Sequence, residues 1–255
     1  MIGHRFSLVT SVLVPLVVSG GGRASPAASY DCRAVADSIL GFSGVDGTSA
    51  RWSGPESRNS VRRLTYAASG GTHEYAPECL LSAADTVARE AVGEDPGSVE
   101  RRYALAVVLG LEAEREGGRA KVRAASALYD QLQAILAMDP EHVGAHHLMG
   151  RLQAGVMRMD RVTRWLATHL LGGGILKRAS WSAAEQNLAY AAEEAPSVPD
   201  YGYELAHLYE DTGRPGMALE EAQRVLVMDP SAALEPTVHA KAAALVMRLE
   251  AAGAG

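Results

Sequence analysis

The chain has 255 residues, of which 47% are hydrophobic and only 5% are aromatic. This composition allows a packed core and excludes a globally disordered chain, and the abundant alanine favours closely packed helices over a sheet. The formal net charge of −6 argues against nucleic-acid binding, which requires a basic surface. We therefore expect an all-α protein that does not bind nucleic acid.

The first residues predict an export signal. Arg5 precedes an apolar run over residues 6–18, and the small residues that follow offer a cleavage site after Ala24 or Ala27. The run is too short to span a bilayer comfortably, and Pro15 interrupts it. The sequence thus predicts a signal peptide over residues 1–24 and a secreted or periplasmic chain that is not transmembrane once the signal is removed. An uncleaved anchor is the alternative.

The predicted export bears on whether the two cysteines of the chain form a disulfide. An even pair in an oxidising compartment predicts a disulfide between Cys32 and Cys79. It would close a loop of roughly 48 residues and contribute about 4 kcal/mol in the chain-entropy model. Two buried free thiols are the alternative.

The chain changes character near residue 75. Residues 25–74 predict a short helix over 29–41 and then a loop rich in glycine, serine and arginine, with one weak helix near 55–68. From residue 75 onward, apolar stretches with helical spacing alternate with Asp-Pro, Gly-Gly and Gly-Arg-Pro breaks. This alternation is typical of helical hairpins and predicts a second domain over residues 75–255.

Four prolines recur at comparable places in this domain, at Pro96, Pro140, Pro196 and Pro230. Their spacings of 44, 56 and 34 residues fit a 34-residue unit with insertions of 10 and 22 residues. Proline lacks a backbone donor and restricts its predecessor, so each one predicts the end of a helix.

Small residues recur at fixed distances from these prolines. Twelve residues before three of them stand Ala84, Ala184 and Ala218, whereas Leu128 precedes Pro140. In the preceding helices a large apolar residue is followed by a small one, as in Met149-Gly150 and Leu205-Ala206. Small side chains at these places predict that paired helices pack closely.

The segment from Tyr201 to Pro230 carries the clearest repeat, and it resembles the tetratricopeptide repeat family. The matching positions are Leu205, Ala206, Tyr209, Gly213, Ala218 and Pro230, while Gly202 stands where the family has an early aromatic residue. The resemblance covers residues 76–230 and leaves three or four repeats open. It implies a right-handed superhelix of antiparallel helix pairs.

A second resemblance is narrower. The run from His147 to Arg151, the insert ending in three glycines at residues 172–174, and Trp181 with Ala184 are similar to the regulator-of-microtubule-dynamics branch of these proteins. The eukaryotic role of that branch is not expected to transfer to a chain with an export signal.

The C-terminal residues predict one further helix, from Pro236 to about Ala251. Its apolar stripe with helical spacing consists of Val238, Ala242, Leu245 and Leu249. A stacked repeat array needs a terminal helix of this kind, because its last pair would otherwise expose an apolar face.

The resemblance also implies where a partner binds. Tetratricopeptide repeats hold protein or peptide segments along the concave face of their first helices, and the matching positions here are Tyr103, His147, Arg151, Tyr203 and His207. Aromatic, imidazole and guanidinium groups can hold a peptide by stacking and hydrogen bonding. The alternative is that some of these residues, Tyr103 and Tyr203 especially, belong to the core.

Catalysis has no positive signal in the sequence. His142, His146 and His147 lie close together, and the first two are spaced to share a helix face, as zinc ligands can. No glutamate follows His142 in a zinc-protease pattern, however, and no third ligand stands nearby. We therefore expect a protein that is not an enzyme and has no metal or cofactor, with a metal-dependent hydrolase as the alternative.

The charge of the insert predicts another mode of interaction. Residues 150–180 carry a net charge of +5, whereas residues 181–230 carry −8. The insert over residues 156–177 is also apolar, so it can serve self-assembly into a homo-oligomer or contact with a membrane surface. The alternative is that it folds back onto the array and pairs its charges there.

Overall fold

The described residues form nine α-helices and contain no strand. The structure is a computed structural model, and it describes residues 57–69, 77–159 and 178–253. The helices are α1 (Ser57–Ala68), α2 (Pro77–Glu94), α3 (Val99–Arg115), α4 (Gly118–Met138), α5 (Val143–Arg158), α6 (Trp181–Glu194), α7 (Pro199–Asp211), α8 (Pro215–Leu226) and α9 (Val238–Gly253), with a 3-10 turn at Pro230–Ala232 before α9.

Consecutive helices pack as four antiparallel pairs: α1 with α2, α3 with α4, α5 with α6, and α7 with α8. The first helix of each pair also contacts the first helix of the next pair, so α1, α3, α5 and α7 form one layer. The last helix, α9, packs on α7 and α8. The prediction of an all-α, tetratricopeptide-like array with a C-terminal capping helix is confirmed.

The second helices end where the prolines predict. The helices α2, α4 and α6 stop two residues before Pro96, Pro140 and Pro196, and α8 stops shortly before Pro230. The Ser98 hydroxyl then caps α3 by accepting a hydrogen bond from the backbone N–H of Arg101. The residues next to each helix end therefore determine where that helix stops.

The predicted small residues lie inside the helix contacts. Ala84, Ala184, Ala206 and Ala218 have no exposed surface, and Gly150 is buried. A Cβ atom on Gly150 would stand 2.6 Å from Cγ of Leu188 and 3.0 Å from the carbonyl oxygen of Ala184. Both distances are shorter than a carbon contact allows, so only glycine lets α5 and α6 approach this closely.

Helix α1 precedes residue 75, where the sequence predicts the repeat domain to begin. In α1, Val61 and Leu64 are buried with 2% and 0% exposure in the same core as α2 and α3. The division of the chain at residue 75 stays a prediction. The apolar residues of α1 are few, and the surrounding sequence is rich in arginine and serine. For this reason the sequence predicts a loop with one weak helix there.

Two N-terminal predictions lie outside the described residues. These are the signal peptide and the helix over residues 29–41. Cys79 is buried in α2 with 4% exposure, but Cys32 is not among the described residues. The disulfide therefore stays a prediction.

The ten-residue insertion lengthens the second pair. The helices α3 and α4 have 17 and 21 residues, whereas α7 and α8 have 13 and 12. At 1.5 Å per residue, α4 is about 13 Å longer than α8. The larger insertion follows Arg158, and residues 160–177 lie outside the described part of the chain.

The last helix follows its predicted stripe. Val238, Ala242 and Leu245 are all buried in α9, where they cover the last pair. None of the helices in the described ranges is both long enough and apolar enough to cross a membrane.

Candidate functional site

A groove with a cavity volume of about 1360 Å³ runs along the layer of first helices. Its lining residues come from α1, α3, α5 and α7, from the first half of α4, and from α9 with the segment before it. The five residues predicted to bind a partner all line this groove: Tyr103, His147, Arg151, Tyr203 and His207. That they bind a partner stays a prediction.

One end of the groove is a cluster of charged side chains, here called the charged end, formed by Arg151, Glu114, Glu204, Glu235 and Lys241. The guanidinium of Arg151 lies 2.5 Å from Glu114, 3.2 Å from Glu204 and 3.0 Å from Glu235. The ammonium of Lys241 lies 2.5 Å from Glu235. Arg151 therefore joins α3, α5, α7 and the segment before α9.

The pKa values of the charged end reflect this pairing. Burial works against the charge of Arg151, yet the three carboxylates raise the pKa of its guanidinium. Burial also works against the charge of Glu235, but Arg151 and Lys241 hold its pKa below the usual value. For Glu114, burial outweighs the attraction of Arg151, and its pKa is raised. Arg151 is thus committed to carboxylates of its own chain.

Asp200 fixes the segment that brings Glu235 into the charged end. Its carboxylate accepts hydrogen bonds from the backbone N–H groups of Leu234, at 2.6 Å, and Glu235, at 2.9 Å. Burial raises the pKa of Asp200, although both backbone bonds favour its ionised form. The capping helix is therefore tied to α7 by polar contacts as well as by its apolar stripe.

His147 and Tyr103 lie deeper than the prediction assumed. The His147 ring is 2% exposed and packs against Tyr201 with a centroid distance of 4.4 Å. Burial and the nearby charge of Arg151 lower its pKa well below the ordinary value, so the imidazole is neutral. Burial raises the pKa of Tyr103, and the neighbouring Tyr201 adds to the increase. Both residues contribute mainly to the packing of α3, α5 and α7.

Tyr203 and His207 are more accessible. They lie on consecutive turns of α7, and their ring centroids are 6.0 Å apart in a stacked arrangement. Arg158 donates to Nδ1 of His207 at 3.2 Å and pairs with Asp211 at 2.7 Å. Both are partly exposed, whereas His147 is buried.

A second part of the groove, here called the apolar stretch, is lined by Val107, Leu111, Val122, Leu152 and Val156. All but Val156 are partly exposed. Gly155 lies in the same wall, and a Cβ atom placed on it would meet no atom of the described residues within 4 Å. The described part of the chain therefore leaves the space above this face of α5 open.

Two basic residues border the apolar stretch and were not predicted. Arg119 and Lys121 stand at the start of α4, are exposed, and line the groove. Their side chains form no hydrogen bond or ion pair with any described residue. The prediction considered only first helices. The signal available in the sequence was the run Arg119-Ala120-Lys121-Val122-Arg123, which lacks acidic residues.

The three neighbouring histidines have separate structural roles. Nδ1 of His142 accepts a hydrogen bond from the backbone N–H of Ala145 and caps α5. The ring of His146 lies between the carbonyl oxygen of Pro140, at 2.8 Å, and Oδ1 of Asn187, at 2.7 Å. His147 is buried. No group of three potential metal ligands occurs within the described ranges, so the hydrolase alternative gains no geometric support there.

Little of the basic insert falls within the described residues. Val156 and Met159 line the groove, and Arg158 pairs with Asp211 of α7. This pairing is the internal neutralisation that one interpretation of the insert expects. Residues 160–177 are not described, so self-assembly through them stays a prediction.

Comparisons with known proteins place these features in context. Residues 62–250 match the model of the family described as Regulator of microtubule dynamics protein 1-3. No curated protein matches the chain. Among solved structures, a thermophilic TPR protein of Thermus thermophilus is similar, with a TM-score of 0.46 and 15% identity over 85% of this chain and 97% of that one.

Proposed function

The chain belongs to the family of regulator of microtubule dynamics proteins 1–3, and we propose that it is a non-enzymatic scaffold whose groove holds a segment of another protein. The observation that carries this proposal is the apolar stretch, in which four of the five lining side chains are partly exposed and the described residues leave the space above Gly155 open. The microtubule role in the family name is not part of this proposal, because residues 1–24 predict export.

The size of the groove favours a polypeptide partner. Pockets for small molecules span about 300–1,000 Å³, and the groove here has a volume of about 1360 Å³. Burial of apolar surface supplies the main driving force for such binding. Because packed helix pairs hold the groove in shape before the partner arrives, little ordering of the scaffold opposes association.

Export is part of the proposal. A chain purified from the extracellular or periplasmic fraction should lack residues 1–24, and intact-mass measurement checks this. Without reducing agent the same chain should be lighter by two hydrogen atoms, as a bond between Cys32 and Cys79 requires. A full-length mass in the membrane fraction would instead indicate an uncleaved anchor.

Filling the groove tests the binding proposal. Gly155→Trp adds a large side chain above the apolar stretch, at a helical position where the Cβ atom meets no neighbour. The variant should keep its helical circular dichroism and lose the proteins that the wild-type chain captures. Gly93→Trp is the matched control, because Gly93 is exposed in α2, has open space at its Cβ position and does not line the groove. Equal capture by all three proteins would reject the groove as the binding site.

A further inference from the structure

We propose that the bound segment is an apolar peptide with acidic residues at one end, and this inference rests on the binding function proposed above. The apolar side chains of the peptide cover the apolar stretch, and its carboxylates pair with Arg119 and Lys121.

The charges of the groove single out these two residues. Arg151 and Lys241 are paired with glutamates of the charged end, and Arg158 is paired with Asp211. Among the described lining residues, Arg119 and Lys121 are the arginine and lysine side chains that have no such partner. An acidic ligand that reached Arg151 would meet three carboxylates already in place. Among the described lining residues, the attraction for a new carboxylate is therefore confined to the start of α4.

The position of the two cations fits one segment. Arg119 and Lys121 precede Val122 by three residues and one residue, and Val122 is the residue through which α4 contributes to the apolar stretch. A peptide that lies on Val122, Leu152 and Val156 brings its neighbouring side chains to this rim. Carboxylates there gain attraction, whereas lysine or arginine at the same places would meet like charges.

The local structure of α4 adds to the same preference. Its first turn contains no acidic residue, and its N-cap, Gly117, makes no side-chain capping bond. The N-terminal end of a helix dipole is positive, so its sign agrees with that of the two side chains. The elongation of α3 and α4 carries this end of α4 into the groove, whereas second helices otherwise form the other layer.

The test uses three fluorescent peptides with one leucine- and alanine-rich core, preceded by two glutamates, two glutamines or two lysines. Fluorescence anisotropy measures their binding to the purified chain. The glutamate peptide should bind about fivefold or more tightly than the glutamine peptide, and the lysine peptide should bind most weakly. Since the preference is electrostatic, added salt should reduce it.

Charge reversal supplies the matched comparison. The double variant Arg119→Glu, Lys121→Glu should invert the order of the three peptides. Its fold should be retained, because both side chains are exposed and acids favour a helix N-terminus. Arg123→Glu reverses a charge on the same helix at an exposed position outside the groove lining, and it should leave the order unchanged.

The outcomes separate this inference from the function on which it rests. If Gly155→Trp abolishes binding but the three peptides bind wild type equally, the acidic preference is wrong, while the groove is still the binding site. If no peptide binds, or if Gly155→Trp binds all three as wild type does, the inference fails together with the proposed groove. Binding to phosphatidylglycerol vesicles without binding to the glutamate peptide would also overturn it, in favour of a lipid surface.

Discussion

The two parts of the groove differ in whether their side chains already have partners. At the charged end, Arg151 and Lys241 face three glutamates from three other segments, and the contacts hold first helices and the capping helix together. In the apolar stretch, the side chains of Leu111 and Leu152 are partly exposed beside open space. The comparison separates residues that maintain the groove from residues that are available to a ligand.

This difference changes how substitutions should be interpreted. Loss of binding after a change at Arg151 would not identify a ligand contact, because the same change removes the partner of buried carboxylates. Changes at Gly155 or Arg119 leave the internal pairs intact, so they report on binding itself.

The largest expected effect is at the charged end. Arg151→Met should lower the free energy of unfolding by about 3 kcal/mol, because it leaves Glu204 and Glu235 buried with one remaining cation. Urea denaturation measures the loss. Arg151→Lys should retain part of the stability, since an ammonium keeps the charge but cannot fork between several carboxylates.

An exposed ion pair provides the control for this measurement. Arg89 pairs with Asp85 one turn away on α2, and its side chain is 54% exposed. Arg89→Met should therefore cost less than about 1 kcal/mol. A similar loss for Arg89→Met and Arg151→Met would show that the charged end does not hold the helices together.

Two glycines on different faces of α5 extend the comparison between packed and open positions, with smaller expected changes in stability. Gly150→Ala should destabilise the chain by about 1–2 kcal/mol, because the new methyl group overlaps Leu188 and the backbone of Ala184. Gly155→Ala places the same methyl group in the open groove and should stabilise the helix by up to about 1 kcal/mol. Equal effects in urea denaturation would mean that α5 does not present these two faces as described.

The helices and their contacts were predictable because their signals are local. Pro96 and Pro140 restrict their own neighbourhoods, and Ala206 and Ala218 fit contacts between helices that are adjacent in the chain. The first helix was underestimated for a related reason. Its stripe holds only Val61 and Leu64 as large apolar residues, so its burial depends on α2 and α3 more than on its own pattern.

The charged end could not be predicted from spacing. The partners of Arg151 stand 37 residues before it at Glu114 and 84 residues after it at Glu235. Their meeting depends on how far each hairpin rotates relative to the next, which no local pattern contains. Arg119 was missed because second helices normally lie away from the groove, and only the elongation of α4 brings its start there.

His147, between the charged end and the core, gives an effect that depends on pH. The folded chain keeps its imidazole neutral with a strongly lowered pKa, whereas the unfolded chain binds a proton near the ordinary value of roughly 6.5. Below that pH the unfolded state binds more protons. The free energy of unfolding should therefore fall with falling pH, by up to about 1.4 kcal/mol per unit, and be insensitive to this residue above about pH 7.5.

His147→Gln removes the titrating group, and the carboxylates of the charged end remain in both proteins. Urea denaturation of wild type and variant between pH 8 and pH 5 should give curves whose difference shrinks toward acid. Parallel curves over this range would show that the folded chain protonates His147 as readily as the unfolded chain does, with no lowering of its pKa. The imidazole would then belong with the charged groups of the groove and not with the core of α3, α5 and α7.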